Sequence, residues 1–448
     1  MTTRITVVTA GHLATSPRML KAADALSDAG YRVHVVSACL VDWARAADLD
    51  VRRTRERRWT WTVVDCSREI VHRARWWRGT RMRIARALAA RVGPARLPLV
   101  IAARALSRAH PELLSAALAE PADLLYGGTV GALAAVALAA RRSGAPYALD
   151  LEDFHSAEGE DRGAVRLSNA LARRVERAVL PRAAFLTAGS EPIASAYRAT
   201  YGIAPVAIHN VFALPRRAPV VVSRAKDHLR LYWFSQTIGP GRGLEDAVRA
   251  MGLADIPGEL HLRGRPVATY VDALHRLAAD VAPRLVVVQH NPAPPDSMVA
   301  LCAPYDVGLS LEQPAVLNRD LCLTNKAFTY MLAGLPVAFT STTAQEPLAL
   351  DMAAGALAYT PGDIAALAKG LARWANDREG LARARQASWA AAQRRWHWEH
   401  DRERGALLAC AAGIIGVGGR SPLAASPPSS YATTRTGPAS ERGAAAGS

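Results

Sequence analysis

Residues 5–37 read ITVVTAGHLATSPRMLKAADALSDAGYRVHVVS, and this stretch decides the fold class. Ile5–Thr9 is a short β-branched run. Ala10, Gly11 and His12 turn the chain, and Pro17, Leu20, Ala23 and Leu26 then mark a helix that stops at Asp28-Ala29-Gly30. A second apolar run follows at 32–37. Strand, glycine turn, helix, glycine stop and strand make a βαβ unit, which implies a parallel sheet. The pattern returns with a strand at 123–126, an alanine-rich helix ending at Gly144 and a strand at 147–150; further strands are expected at 185–188 and 206–209. Together they predict a doubly wound first domain over residues 1–212. Two prolines and mixed charges mark a linker at 213–228. Strands at 229–234, 259–262, 284–288, 307–311 and 336–340 predict a second doubly wound domain over 229–381. C-terminal helices are expected over 382–415. From 416 to 448 a Ser, Pro, Ala, Gly and Thr composition predicts a disordered tail.

The 448 residues suffice for two or three domains, and a chain that is 50% hydrophobic and 21% charged is not wholly disordered. The 55 basic and 39 acidic residues give a net charge of +16, which bears on partners rather than fold and points toward phosphate. Cys39, Cys66, Cys302, Cys322 and Cys410 are odd in number and far apart, which argues against a disulfide framework or a zinc site and for a reducing cytoplasm. Met1 is not followed by the apolar core of a signal peptide, and the apolar run from Gly405 to Gly419 is too short to cross a bilayer. A soluble cytoplasmic protein is expected, with peripheral work at the inner face of the cell membrane left open.

Residues 43–108 stand apart. They hold 17 arginines against five acids, a local +12, interleaved with Trp43, Trp59, Trp61, Trp76 and Trp77. Two readings fit: a solvated helical insertion in the first domain, or a patch for a polyanion or for membrane headgroups, where tryptophan and arginine sit together.

Several familiar sites are absent. There is no G-x-x-x-x-G-K-[ST] phosphate loop, no G-x-G-x-x-G in the first βα turn and no G-x-S-x-G elbow. His397 and His400 have no third ligand nearby, so no metal site is expected. The run Gly239-Pro240-Gly241-Arg242-Gly243 follows a strand and opens a helix. Its glycines leave backbone N–H groups free to approach phosphate, and Arg242 adds a charge there. Further on, Thr324 reads as an N-cap, which leaves Asn325 and Lys326 in the first turn of a helix whose core face is Phe328, Leu332 and Leu335. Lysine is unfavourable at a helix N-terminus unless an anion is held there. With only four lysines in the chain, Lys326 is a specific choice. Two helix starts, each with one cation, suggest a diphosphate clamp.

The ordered set of Gly11 with Ser16-Pro17-Arg18, Asp150 to Ser156, Thr187 to Glu191 with Tyr201-Gly202, Trp233 to Glu245, and Asn325-Lys326 with Gly334 to Val337 resembles the retaining GT-B glycosyltransferases of family 4. The resemblance spans about residues 1–400. It implies an α/β fold of two Rossmann-like, doubly wound domains facing across a cleft, with a nucleotide-sugar held mainly by the second. It also implies a final helix crossing back to the first domain, for which 382–404 is the candidate. Two departures stand out. The family's paired glutamates, eight positions apart, fall on Leu321 and Thr329, so Glu312 or Asp320 is left to substitute. Arg242 takes the place of the family's lysine, the family's arginine falls near Gln236 or Thr237, and Lys326 is left to supply the second charge.

Donor binding is therefore expected from Gly239, Gly241, Arg242, Gly243, Glu312, Asn325 and Lys326, and acceptor-side contacts from Gly11, His12, Arg18 and Glu152. Asp150, Glu152, Asp153 and His155 follow a first-domain strand, where an α/β cleft opens. Helix capping and loop solvation account for Asp150 and Glu152, while Asp153 and His155 join Arg242 and Lys326 as catalytic candidates. The expected activity is transfer of a hexosyl group from a UDP-, GDP- or TDP-sugar to a saccharide or lipid-linked acceptor of the cell envelope, with retention and without metal or cofactor. A nucleotide-sugar epimerase or hydrolase of the same fold, or a catalytically silent polyanion- or membrane-binding protein, is the alternative. Specific nucleic-acid binding is not expected.

Overall fold

The computed structural model describes residues 2–67, 72–217 and 228–418. Most of the expected linker at 213–228, and the tail from 419 onward, lie outside these residues. Residues 416–418, assigned above to the tail, continue the helix Ala406–Gly418.

Two all-parallel sheets organise the chain. The first holds β1 (Arg4–Thr9), β2 (Arg32–Cys39), β3 (Thr60–Asp65), β4 (Leu124–Gly128), β5 (Tyr147–Leu151), β6 (Phe185–Ala188) and β7 (Val206–Ala207), in the order β3-β2-β1-β4-β5-β6-β7. The second holds β8 (Leu229–Ile238), β9 (Gly258–Pro266), β10 (Leu285–His290), β11 (Val307–Ser310), β12 (Val337–Thr340) and β13 (Ala356–Tyr359), in the order β10-β9-β8-β11-β12-β13. Each order reverses once, beside β1 and beside β8, which is the doubly wound arrangement.

Alternation along the central strands explains how both faces are covered. Ile5 and Val7 pack under the helix Pro17–Asp28 with Leu20, Ala23 and Leu26, while Val8 and Ala10 face Leu133 and Val136 on the other side. In β8, Leu229, Leu231 and Trp233 enter one core and Tyr232 and Phe234 the other. Strands buried on both faces read as continuous apolar runs, which is why they are visible in the sequence.

Two expectations need correction. The Arg/Trp-rich segment is not wholly helical, because Thr60–Asp65 pairs with β2 as the edge strand of the first sheet. Of 382–404, the part after residue 394 reaches back, with Trp398 beside the first domain's cluster and Glu403 bonded to His209. The helix Arg378–Arg394 packs in the second domain, with Ala391 and Ala392 among Phe328, Leu335 and Phe339. The helix Ala406–Gly418 completes the return, burying Leu407 and Ala411 in the same cluster as Ile5 and Val7.

The chain passes between the domains twice, and the two passages are bonded side by side. Trp398 N–H donates to the Phe212 carbonyl at 2.8 Å and Leu214 N–H donates to Glu399 at 3.0 Å. His209 pairs with the buried Glu403 carboxylate at 3.0 Å, which Arg395 also engages. All five cysteines are free. Among the described residues no helix is long and apolar enough to cross a membrane.

Candidate functional site

The carboxyl ends of the two sheets face one another, and a short helix of the second domain joins them. In Leu317–Leu321, Asn318 accepts from the Phe154 N–H at 2.7 Å and donates to Asp153 Oδ1 at 2.9 Å. Its neighbour Arg319 turns the other way, donating to the Gly241 carbonyl at 3.0 Å and pairing with Glu312 at 3.4 Å. One helical turn therefore links the first-domain loop 150–158 to the glycine turn 239–243.

The cation cluster is built from three elements. Gly243 sits at φ +67°, where a β-carbon would come within 2.5 Å of the Leu311 carbonyl oxygen, so the turn lies flat against the end of β11. Glu312, one residue further, is buried and receives Lys326 Nζ at 2.7 Å, Arg319 at 3.4 Å and Arg242 at 3.8 Å. Burial alone would raise the Glu312 carboxyl, but the charge and hydrogen bond of Lys326, helped by Arg242 and Arg319, hold it below the usual range. It stays ionised. Three cations about one carboxylate leave an excess of positive charge beside the helix start at Asn325. Lys326 thus has an anion, as its position demanded, and that anion belongs to the protein. Thr324 precedes the helix as expected, yet its hydroxyl makes no cap bond, and Thr324 Oγ1 is buried without a partner among the described residues.

The positions of the missing glutamates are closed. Thr329 is fully buried and donates to the Asn325 carbonyl at 2.8 Å. Leu321 packs in the first domain's core, and its carbonyl accepts from Ser190 Oγ at 2.6 Å. Asp320 holds Thr343, accepting from its N–H at 3.0 Å and its hydroxyl at 2.6 Å, and so does not join the cluster.

On the facing loop, Asp153 also accepts from Cys322 Sγ at 3.0 Å. His155 is buried, bonded through Nδ1 to Glu158, and its Nε2 has no partner among the described residues. Desolvation would lower the His155 imidazolium, but the Glu158 bond and charge outweigh it and raise the group to about 9. Burial, reinforced by Asp153, pushes Glu152 up to about 7. A carboxyl titrating there can exchange protons near neutrality.

Three other candidates are structural in this arrangement. Arg18 is buried, donating to Asp150 through Nε at 2.8 Å and Nη2 at 2.5 Å. Asp150 is therefore neither a helix cap nor a solvated loop residue: it is the buried half of this ion pair and accepts from Thr187 as well. His12 bonds Asp48 through Nδ1 at 2.6 Å and accepts from the Leu40 and Val41 N–H groups at Nε2, so both ring nitrogens are satisfied. Gly11 donates to Thr9 Oγ1 at 3.4 Å in the same turn. Sequence reading missed Asn318 and Arg319, whose only local signal is a basic residue seven positions after Glu312.

No family model and no curated protein sequence matches the chain. Solved structures do. HepE from Anabaena, solved with UDP and glucose, aligns at TM-score 0.63 and 15% identity over 93% of this chain and 100% of that one. Sucrose-phosphate synthase from Thermosynechococcus elongatus aligns at 0.62 and 13% over 94% and 100%. TarM aligns at 0.63 and 8% over 93% and 99%. These likenesses, with the two sheets described, define the GT-B fold.

Proposed function

We propose that the chain is a nucleotide-sugar-dependent glycosyltransferase, a hexosyltransferase of the family 4 type, acting with retention and without metal. The observation that carries this reading is the group of Arg242, Arg319 and Lys326 around Glu312, placed across one helical turn from Asp153 and His155. A cleft with surplus cations at a helix start on one wall suits a nucleoside diphosphate, and a histidine and carboxylates on the other suit sugar hydroxyls. HepE was solved with UDP and with UDP-glucose, and a UDP-sugar is the first donor to test here.

Breaking the anomeric bond leaves a diphosphate whose negative charge grows along the reaction. Fixed cations aimed at it stabilise the transition state more than the substrate. A leaving phosphate held this way also accepts the acceptor's proton on the same face, so no separate protein base is required for retention. The acceptor in this reading is a saccharide or lipid-linked saccharide of the cell envelope, and the protein works at the cytoplasmic side of the membrane. Calorimetric titration with UDP-, GDP- and TDP-sugars tests the donor class. Micromolar binding of one of them, lost in Lys326→Ala, is expected. Absence of binding to all three overturns the reading.

A further inference from the structure

The helix His72–Val92 buries one side and leaves the other bare. Ala85 and Ala89 enter the first domain's core, and Arg86 donates to the Ala105 carbonyl at 3.2 Å and to Ser168 at 3.1 Å. That side faces the helices Leu99–Leu106 and Gly163–Val179. On the outer side Trp77, Ile84, Leu88 and Val92 follow at spacings of seven, four and four, which brings them into one line. Trp76 flanks them. Their exposures are 58% and 59% for the two tryptophans, 64% for Ile84, 42% for Leu88 and 41% for Val92. Single exposed apolar residues are ordinary, whereas five along one stripe mark an interaction surface.

Charge identifies the partner. The helix holds seven arginines and no acid. Arg78 and Arg81 are occupied by Glu112 on the inner side. Arg83 and Arg91 are exposed along the stripe, and the hydrogen bonds Arg83 makes, to Gly79 and Thr80, stay within the helix. We propose that this stripe docks on an anionic lipid bilayer, with Trp76, Trp77 and the aliphatic side chains entering the headgroup boundary and Arg83 and Arg91 meeting lipid phosphates. Nucleic acid would be served by the arginines and would leave Ile84, Leu88 and Val92 facing water. A second copy of the chain would bring arginine against arginine in a two-fold contact.

The location gives the docking a use. The helix begins beside the carboxyl end of β3, where Arg78 donates to the Asp65 carbonyl. Those carboxyl ends open on the cleft, so a docked stripe brings the cleft mouth to the lipid surface. Of the basic residues of the helix Arg45–Arg55 and its following turn, Arg52 and Arg57 are exposed on a different element from the stripe. Arg55 pairs with Asp24 and Asp296, and Arg58 with Asp24 and Asp28. The docking stands on the surface of one helix and does not depend on the transfer reaction.

Co-sedimentation of the full chain with phosphatidylcholine vesicles, with and without phosphatidylglycerol, is the test. Binding to the mixed vesicles, release as salt rises and a blue shift of tryptophan fluorescence are expected. The Trp76→Ser/Trp77→Ser pair and the Arg83→Glu/Arg91→Glu pair should each weaken vesicle binding about tenfold or more. Both should keep the wild-type circular dichroism spectrum, since the changed side chains are exposed. The Arg52→Glu/Arg57→Glu pair changes the same charge on the helix Arg45–Arg55 and its following turn and should bind nearly as wild type. Equal binding to neutral vesicles overturns the proposal, as does equal loss in the control pair. So does duplex RNA binding that displaces the vesicles, or light scattering that shows a dimer broken by the tryptophan variants.

Discussion

Glu312 draws Lys326, Arg319 and Arg242 toward one point and so holds three flexible cations in place before any ligand arrives. Cations fixed in advance need no rearrangement as charge develops, and loss of one such donor typically costs roughly 10²–10³ in rate. Lys326→Ala and Arg242→Ala should each lower turnover by that order in an assay with an established donor and acceptor, with the circular dichroism spectrum unchanged. The Arg18–Asp150 pair is buried and serves the fold. Asp150→Ala leaves an uncompensated buried guanidinium and should cost about 3–5 kcal/mol in urea unfolding. His155 gives a pH signature. Its imidazolium is raised from 6.5 to about 9, so its contribution is fully present below pH 6.5 and lost as pH rises through 9. His155→Gln should flatten the stability curve across that window. Individual residue types were legible to different degrees. Lys326 announced itself as a lysine at a helix start in an arginine-dominated chain. The burial of Arg18 and His12 did not show, because their partners, Asp150 and Asp48, lie 132 and 36 positions away.

The glycine turn and the helix after it behave as one element. Gly243 has φ +67°, and an added β-carbon would press on the Leu311 carbonyl. Gly243→Ala should cost at least about 1–2 kcal/mol from the left-handed backbone alone, and it should lift the turn and Arg242 from Glu312. Calorimetry on the variant should therefore show weaker nucleotide binding along with a lower melting temperature. This turn was readable because glycines punctuate the sequence at it. Strand β3 was not. Its residues Thr60–Asp65 form an edge strand with Val64 as its buried residue, so the apolar alternation that marks an inner strand is missing among arginines and tryptophans. The short helix Leu317–Leu321 was equally hidden, since five residues carry no periodicity, and its role comes from bonds to another domain.

At the scale of the whole chain, two doubly wound domains could be read from strand order and glycine stops, while the identity of the returning helix could not. Both 382–404 and 406–418 have helical patterns, and tertiary packing alone decides which of them covers β1. Leu407→Asp places a carboxylate in the cluster around Ile5 and Val7 and should lower the melting temperature by many degrees. The first domain should lose hydrogen-exchange protection before the second. The paired passages between the domains carry a mechanical consequence. A single flexible strand would let one domain swing, twist and roll against the other. Two segments of chain bonded side by side through Phe212 to Trp398 and Leu214 to Glu399 leave bending as the soft motion and make twisting stiff. Opening of the cleft on such a hinge is thus confined to nearly one degree of freedom, along which Asn318 parts from its partners on Asp153 and Phe154.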